Sequence, residues 1–450
     1  MLHNAAFCFT LATFSSLQSM ITGSCLSRCG GFSYPIPPTD FTEFPRTCIP
    51  IRAAPDEVPP AAIAVRLLMS LHSMPRPIPE HNRESVAREA ALIDVERAVS
   101  ELRAGRPVII ASPGGSILAQ GIEGFEAAQA AQFLSMAGMR ARLVLTSARL
   151  RHLGVDRAQG GALALPDLDP ARIEMLALHR DARLDAPVSP LSALDAAALE
   201  LTRLALIVPA AVCASIALSS LDRTQFLRVD AAAIADFRLA GLRNLRIVGR
   251  APVPLEGAEA TEFVVFRGGE GLRDQVAVIV GKPDLTRPVT VRLHSACLTG
   301  DLFGSLKCDC GDQLRETVQS MAAGEGGILL YLDQEGRGNG IANKMRAYRL
   351  QAQGFDTYDA DEVLGFDHDQ RRFDFAGLML RQLGVSQVRI MTNNPGKIEA
   401  LRRAGVEVVS DHRILGRTTD ENVRYLASKR DRQGHFLGTD GLEANARTTD

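Results

Sequence analysis

Apolar residues first recur at helical spacing near residue 86. In ALIDVERAVSELRAG, Leu92, Val95, Val99 and Leu102 fall three or four apart. That spacing puts them on one face of a helix, and Gly105 supplies a stop. PVIIA (107–111) reads as a short strand. Helical patterns over 123–137, 168–178 and 193–205 alternate with an apolar run at 142–146 and with PAAVCASI, a buried strand. The alternation predicts an α/β domain over 85–240.

A second pattern begins near residue 243. TEFVVFR, QVAVIVG and VTVRLHS are strand runs at hairpin-like spacing,. A helix is expected over 311–323, then GGILLYL as a buried strand, then helices over 340–353 and 374–383. VRIMT is a further strand, and Lys397–Ala404 a further helix. The predicted fold class is therefore α/β, with two α/β domains. The second, over 243–436, is a mixed sheet with flanking helices, followed by a polar tail at 437–450. No internal repeat is visible.

Residues 1–84 are rich in Pro and carry no sustained period. The opening MLHNAAFCFTLATFSSLQSMITGSC could pass for a signal peptide, but it lacks a basic n-region and Thr and Ser break its apolar run, which leaves a targeting segment the weaker reading,. We expect a disordered or non-native extension, with Met69 and Met74 as candidate starts, and a cytoplasmic protein. The 450 residues suffice for two or three cored domains,. A net charge of −2 gives no bulk attraction to nucleic acid,. No run approaches the ~18 apolar residues of a membrane span.

Of eight cysteines, Cys8, Cys25, Cys29 and Cys48 fall in the first 50 residues and Cys213 stands alone. Cys297, Cys308 and Cys310 form C-x10-C-x-C with no fourth Cys after them. Three thiolates can hold zinc tetrahedrally and leave one position for water, as catalytic sites do, and zinc brings that water's pKa near neutrality. The competing readings are three buried free cysteines, or a structural zinc closed by a distant ligand such as His294. Around the trio stand Arg292 and His294, DQEGRG (333–338), LGFDHDQRRF (364–373) and TNNPGK (392–397). A single Arg is usually a solvated surface charge. Arg292, Arg337, Arg371 and Lys397 in separate loops could together hold a polyphosphate. TNNPGK lacks the spacing of a P-loop.

RLHSACLTGDLFGSLKCDCGDQL, QEGRGNGIANKMRAYRLQAQGFDT, LGFDHDQRRF and MTNNPGK, in this order, resemble GTP cyclohydrolase II of riboflavin biosynthesis over residues 243–436. The resemblance implies opening of the GTP imidazole ring, with release of formate and pyrophosphate. The product would be 2,5-diamino-6-(5-phosphoribosylamino)pyrimidin-4(3H)-one. It implies one zinc ion (Zn2+) per subunit on Cys297, Cys308 and Cys310, magnesium (Mg2+) with the GTP phosphates, and a homodimer. GTP would be bound by Arg292, Leu293, His294, Ser295, Ala296, Gln313, Glu335, Gly336, Arg337, Thr357, Thr392 and Lys397. Glu335 would accept the guanine N1–H and amino hydrogens. Asp369 would be the general base, Arg371 a nucleophile at the α-phosphate, and Tyr348 would serve the second ring-hydrolysis step. A guanidinium holds its proton far above neutral pH, so stabilising phosphate charge is the easier role for Arg371. The chain departs from the family pattern at Ala296 (commonly Glu), Asp333 (often Arg) and Asn339. Asp333 removes a positive charge near the site.

Residues 86–240 are weakly similar to dihydroxybutanone phosphate synthase, through DVERAVSELRAGRPVII, RLVLTSARLRHLGV and LTRLALIVPAAVCASI. That enzyme needs a carboxylate-rich loop after the first strand. Here the loop is ASPGGSILAQG, with no Asp or Glu between Glu101 and Glu123. Ala193 stands where the synthase has a metal-binding His. Ser, Pro and Gly cannot replace carboxylates at a hard cation, so the first domain is expected to be catalytically silent. His152 and His179 are lone histidines, better read as packing or surface residues. Three other functions are weighed: a GTP hydrolase that stops at the formamidopyrimidine, a non-catalytic nucleotide-binding scaffold, and a bifunctional enzyme also acting on ribulose 5-phosphate, which the missing carboxylates oppose.

Overall fold

The computed structural model describes residues 80–137, 140–217, 226–269, 273–367 and 371–414, and beyond them 416, 417, 419, 421 and 422. Cys8, Cys25, Cys29, Cys48, Met69, Met74, Asp369 and the tail at 437–450 lie outside the described residues.

The first domain opens with α1 (Glu80–Arg103), which reaches back beyond the point where the apolar pattern becomes regular. It stops just before Gly105, whose φ of +73° is the left-handed conformation glycine adopts at helix ends,. There follow β1 (Val108–Ser112), β2 (Gly115–Gly121), α2 (Ala127–Ala137), β3 (Ala141–Leu145), α3 (Ser147–His152), β4 (Gly161–Leu165) and α4 (Pro170–Leu178). Then come β5 (Val188–Pro190), α5 (Ala193–Leu204), β6 (Ala210–Ile216), β7 (Arg228–Asp230) and α6 (Ala231–Arg243). The strands lie in the order β5-β4-β3-β6-β2-β1-β7. Only the β1–β7 pair is parallel.

Local chemistry sets the helix starts. Asp169 caps α4 with Pro170 at its first position, and Ser192 with Asp195 forms a reciprocal capping box on α5. Such caps contribute about 1 kcal/mol each. Strand side chains alternate between two cores. Ile109, Leu118, Leu143, Leu163 and Val212 face α2 and α4. Val108, Ile110, Ile117, Val144 and Ala211 face α1, α5 and α6. Cys213 is fully buried in the second core, and burial pushes its thiol pKa far up, so it is inert packing.

One expectation is corrected here. ASPGGSILAQG is not a loop: Pro113–Gly114 is a tight turn, and Gly115–Gly121 is a central strand paired antiparallel with β1 and β6. Ile117, Leu118 and Ala119 are buried on both faces, which overrides the Gly-rich turn signal.

The second sheet is built from β8 (Arg246–Pro252), β9 (Thr261–Arg267), β10 (Gln275–Val280), β11 (Val289–Ser295), β12 (Gly327–Leu332), β13 (Gln387–Met391) and β14 (Glu407–His412). Its helices are α7 (Leu298–Asp301), α8 (Cys310–Ala323), α9 (Ile341–Gln351), α10 (Thr357–Val363), α11 (Asp374–Gln382) and α12 (Pro395–Arg403), with a 3₁₀ turn at Glu335–Gly338. The order is β14-β13-β11-β12-β10-β9-β8. β9 and β10 form the expected hairpin, but β11 does not join them. β12 lies between β10 and β11, antiparallel to the first and parallel to the second. Val289, Val291 and Leu293 are buried to 2% exposure or less, so β11 belongs in mid-sheet. A parallel neighbour there requires a crossover, which α8 supplies. Among the described residues, no helix is long and apolar enough to cross a membrane.

Candidate active site

β12, β11 and β13 run parallel and adjacent, so their carboxyl ends open on one edge of the sheet. Open α/β sheets place ligand groups at that edge. The Ala296 N–H donates to the Leu332 carbonyl at 2.7 Å, which holds the loop after β11 against the loop after β12.

Cys297 follows directly. The single turn of α7 and the loop after it bring the chain back to Cys308 and to Cys310, the first residue of α8. The three Sγ atoms lie within 4.8 Å of one another, and Cys297 Sγ is 3.6 Å from Cys308 Sγ. A disulfide would need about 2.05 Å. Thiolates on tetrahedral zinc, with Zn–S of about 2.3 Å, stand about 3.8 Å apart, so the trio fits a shared metal ion. Two glycines make the convergence possible. A Cβ on Gly300 would sit 2.7 Å from Cys308 Sγ and 3.1 Å from Cys297 Sγ, and one on Gly311 would sit 2.2 Å from the Gly300 carbonyl. α7 therefore rests backbone-to-backbone on the start of α8.

Among the described residues, the trio is the group of thiol, imidazole and carboxylate ligands close enough to hold one ion, and His294 is not in it. His294 is buried and stacks on Tyr331 at 5.5 Å. Burial lowers its pKa, which leaves the imidazole neutral, with Nε2 3.1 Å from each oxygen of Asp301. Asp301 also accepts the Cys297 N–H at 2.9 Å and the Tyr331 hydroxyl at 3.0 Å. His294 thus braces the cysteine loop, and its Nδ1 is buried without a hydrogen-bond partner.

α9 brings up Lys344. Its ammonium donates to Cys297 Sγ at 3.2 Å and to Glu335 Oε1 at 2.8 Å. Hydrogen bonds from Cys308 and Cys310, with the Lys344 charge, hold the Cys297 thiol far below its ordinary range. The Cys297 thiolate in turn pushes Cys308 up to about 11. Burial opposes the charge on Lys344, but the Cys297 thiolate and Glu335 outweigh it and keep the amine protonated. One helical turn on, burial pushes the Tyr348 phenol up to about 12. The Tyr348 ring lies 5.6 Å from Lys344 Nζ and 5.2 Å from Lys307 Nζ.

The four cations expected to hold a polyphosphate have distinct settings. Arg292 is buried, donating to the Met391 carbonyl at 3.0 Å and to Gln313 Oε1 at 2.6 Å, and desolvation lowers its pKa to about 10. Gln313 in turn donates to Asp309 at 2.5 Å. Arg292 and Gln313 thus tie β11 to the start of α8 beneath the thiols. Arg337, at φ +60°, lies 2.5 Å from Asp361 and over the Tyr358 ring at 4.4 Å. Lys397 donates to the Leu293 carbonyl at 2.5 Å. Arg371 lies at the cleft, 5.7 Å from the Phe373 ring.

These groups line one cleft of about 1130 Å³, open solvent at its mouth included. It gathers Arg292, His294, Ser295, Ala296, Cys297, Cys308, Cys310, Gln313, Glu335, Gly336, Arg337, Tyr348, Thr357, Arg371, Thr392 and Lys397. Leu293 is the exception among described candidates: its side chain is in the sheet core and only its carbonyl serves the site. Asp369 lies outside the described residues. Asp333 is not among the lining residues; its N–H donates to Gln275 and its carbonyl accepts from Arg273. Glu335 accepts from the Leu298 N–H at 2.5 Å, the Gly336 N–H at 2.9 Å and Lys344. A carboxylate has about four lone-pair sites, so most of the capacity expected to read guanine is already used by the chain. Lys344, Asn343, Asp309, Gln334, Asp361 and Asn393 line the cleft too and were not expected. Lys344 had a signal, its position four residues before Tyr348 on a helix.

Residues 246–413 match the family model described as GTP cyclohydrolase II. The chain is 43% identical over 371 residues to GTP cyclohydrolase-2 of Xylella fastidiosa strain Temecula1, covering 81% of this chain and 92% of that protein. It is 40% identical over 371 residues to GTP cyclohydrolase-2 of Azospirillum brasilense, covering 78% and 95%. It is 48% identical over 177 residues to GTP cyclohydrolase-2 of Vibrio parahaemolyticus, which is 39% of this chain but 89% of that protein. A segment of 162 residues is 44% identical to the riboflavin biosynthesis protein RibBA of Endomicrobium trichonymphae, covering 36% of this chain and 40% of that one.

Proposed function

The chain belongs to the GTP cyclohydrolase II family of riboflavin biosynthesis and is an enzyme with GTP as substrate, and on that premise we propose how its cleft opens the guanine ring. The imidazole ring is hydrolysed, C8 leaves as formate and the β,γ-phosphates leave as pyrophosphate. The product is 2,5-diamino-6-(5-phosphoribosylamino)pyrimidin-4(3H)-one. The observation that carries the reading is the convergence of three thiols within 4.8 Å in the cleft that also contains Arg337, Arg371 and Lys397.

Cys297, Cys308 and Cys310 would hold one zinc ion per subunit. When bound, zinc would supply a Lewis acid that activates water. Three thiolates and Zn2+ sum to one negative charge, which the Lys344 ammonium at 3.2 Å from Cys297 Sγ offsets. Glu335 keeps Lys344 charged and in place. Its remaining acceptor capacity is small, so we assign it chiefly to organising this corner and only secondarily to the base. Arg371 would stabilise charge developing on the phosphates, with magnesium as their counter-ion, and Asp369 would move the proton. Tyr348, beside Lys344, would serve the second hydrolytic step.

We take 85–240 and 243–436 as the two domains, the first without chemistry of its own, and expect a cytoplasmic homodimer. The first domain's silence is supported by the tight Pro113–Gly114 turn, which has no carboxylate to offer a cation. The Vibrio relative, most of whose length aligns in 177 residues, has no room for a first domain of this size.

The test is incubation with GTP, zinc and magnesium while following formate, pyrophosphate and the pyrimidine absorbance. Formate and pyrophosphate in equal amounts support the reading. Pyrophosphate without formate would replace it with the shorter, formamidopyrimidine-forming reaction. No turnover by folded, metal-loaded protein would leave a non-catalytic nucleotide-binding scaffold.

A further inference from the structure

The first domain meets the second at 363–367, which follow the cleft residues Thr357 and Asp361, and at α9. Thr146, the N-cap of α3, accepts the Arg149 N–H at 3.2 Å and donates its hydroxyl hydrogen to the Gly365 carbonyl at 2.6 Å. Arg149 is 1% exposed. Its guanidinium donates to the carbonyls of Met175, Leu176 and His179 in its own domain and to that of Val363, at 2.6 Å, in the other. Arg203 Nη2 lies 2.8 Å from Asp367 Oδ2. Thr146, Arg149 and Arg203, with Ser147 and Arg151 also on Asp367, thus grip residues 363–367 of the other domain, directly after Thr357 and Asp361 of the cleft.

The second segment is α9, which carries Lys344 and Tyr348 and packs on α10. Asn343 donates to the Leu206 carbonyl at 3.1 Å, and Arg346 to Glu123 at 2.9 Å. Leu206 has φ +58°, a conformation L-residues avoid,. Among the described residues the other non-glycine with positive φ is Arg337, in the cleft itself. Leu178 supplies apolar adhesion by packing on the cluster that holds Val363, Leu364 and Phe366. Here buried donors are aimed at individual carbonyls, and a guanidinium without a carboxylate partner in any of its hydrogen bonds is spent on them.

We infer that the first domain is a positioning platform for the cyclohydrolase site. Thr146, Arg149 and Arg203 set the path of 363–367 and so place the end of α10, whose Asp361 lies 2.5 Å from Arg337 in the cleft, while Leu206 and Glu123 hold α9. They are positioning residues, since none is among the residues lining the cleft. The inference rests on the proposed reaction for its kinetic readout only.

The experiment uses the full chain with Thr146→Val, Arg203→Gln and Arg149→Lys. The last keeps the charge but loses the planar fork that reaches several carbonyls. Misplacing a catalytic group from a distance costs up to about 100-fold. We expect kcat to fall about 10- to 100-fold on that basis, with zinc content unchanged in all three, and with the melting temperature unchanged in Arg203→Gln but lowered in Thr146→Val, which also loses the α3 cap,. The amides of Gly365 and Phe366, which donate to Glu362 and Asp361, should exchange faster with deuterium. In an Arg337→Lys background, Arg203→Gln should add nothing, because the two act through one group, the Asp361–Arg337 pair,. Wild-type kcat together with unchanged exchange at 365–366 would overturn the inference. If the wild-type chain turned over no GTP, the reaction would be what failed, and the exchange measurement would still decide the positioning claim.

Discussion

Gly300 offers a sharp test of how the cysteines are held. It lies in the helical turn α7, where alanine is ordinarily more stable than glycine by roughly 0.5–1 kcal/mol. In this protein an alanine Cβ would stand 2.7 Å from Cys308 Sγ and 3.1 Å from both Cys297 Sγ and Cys310 Cβ. Non-bonded heavy atoms pack best at about 3.5–4.0 Å, so Cys308 Sγ must retreat by about 1 Å. Metal–ligand distances tolerate about 0.2 Å, so the ion cannot absorb that movement. Disturbing the surroundings of a metal site typically costs 10- to 100-fold in affinity, or about 1.4–2.8 kcal/mol. Gly300→Ala should therefore hold zinc at least about tenfold more weakly in competition with a chelator, and lose GTP turnover in parallel. Far-UV circular dichroism should show its helices intact. One zinc per chain at wild-type affinity in Gly300→Ala would refute the close approach of α7 to a shared metal site.

Lys344→Met removes the ammonium from Cys297 and Glu335 and leaves two buried anions without it; uncompensated buried charge costs about 3–5 kcal/mol, so weaker zinc retention and a lower melting temperature are expected together. Unchanged zinc affinity would count against the charge balance assigned to that lysine. Tyr348→Phe should slow formate release more than pyrophosphate release, with a formamidopyrimidine accumulating by mass spectrometry; equal slowing would remove the tyrosine from the second step. In metal-free protein, Cys297 should be the first thiol alkylated. Its pKa is depressed by Cys308, Cys310 and Lys344, so its thiolate survives as pH falls below the ordinary thiol value of about 8.5. Iodoacetamide at pH 6 should therefore mark Cys297 by peptide mapping, and added zinc should block it.

Much of the second domain was legible in its sequence because strongly apolar runs and spaced functional groups carry their own signals. The cysteine spacing pointed to one cluster, and the three Sγ atoms do meet. What stayed hidden was set by long-range packing. β11 resembled a hairpin partner of β10, and only the insertion of β12 between them removes it. Gly115–Gly121 resembled a loop because its glycines flank a three-residue apolar core that gains stability only inside a sheet. Arg292 lines the cleft as expected, but its tie from β11 to α8 through Gln313, twenty-one residues away, has no local sequence signal. Lys344 has no local sequence feature that connects it to Cys297, forty-seven residues away. The hold of Thr146, Arg149 and Arg203 on 363–367 joins residues more than 160 apart in the chain and has no sequence pattern at all.

The central claim is that Cys297, Cys308 and Cys310 mark a working cyclohydrolase site. It is tested most directly with GTP labelled with carbon-14 at C8. The zinc- and magnesium-loaded wild-type chain should release labelled formate and pyrophosphate in equal amounts, and Cys308→Ser should release neither. Labelled formate from Cys308→Ser at the wild-type rate, or none from folded, zinc-loaded wild type, would contradict the account.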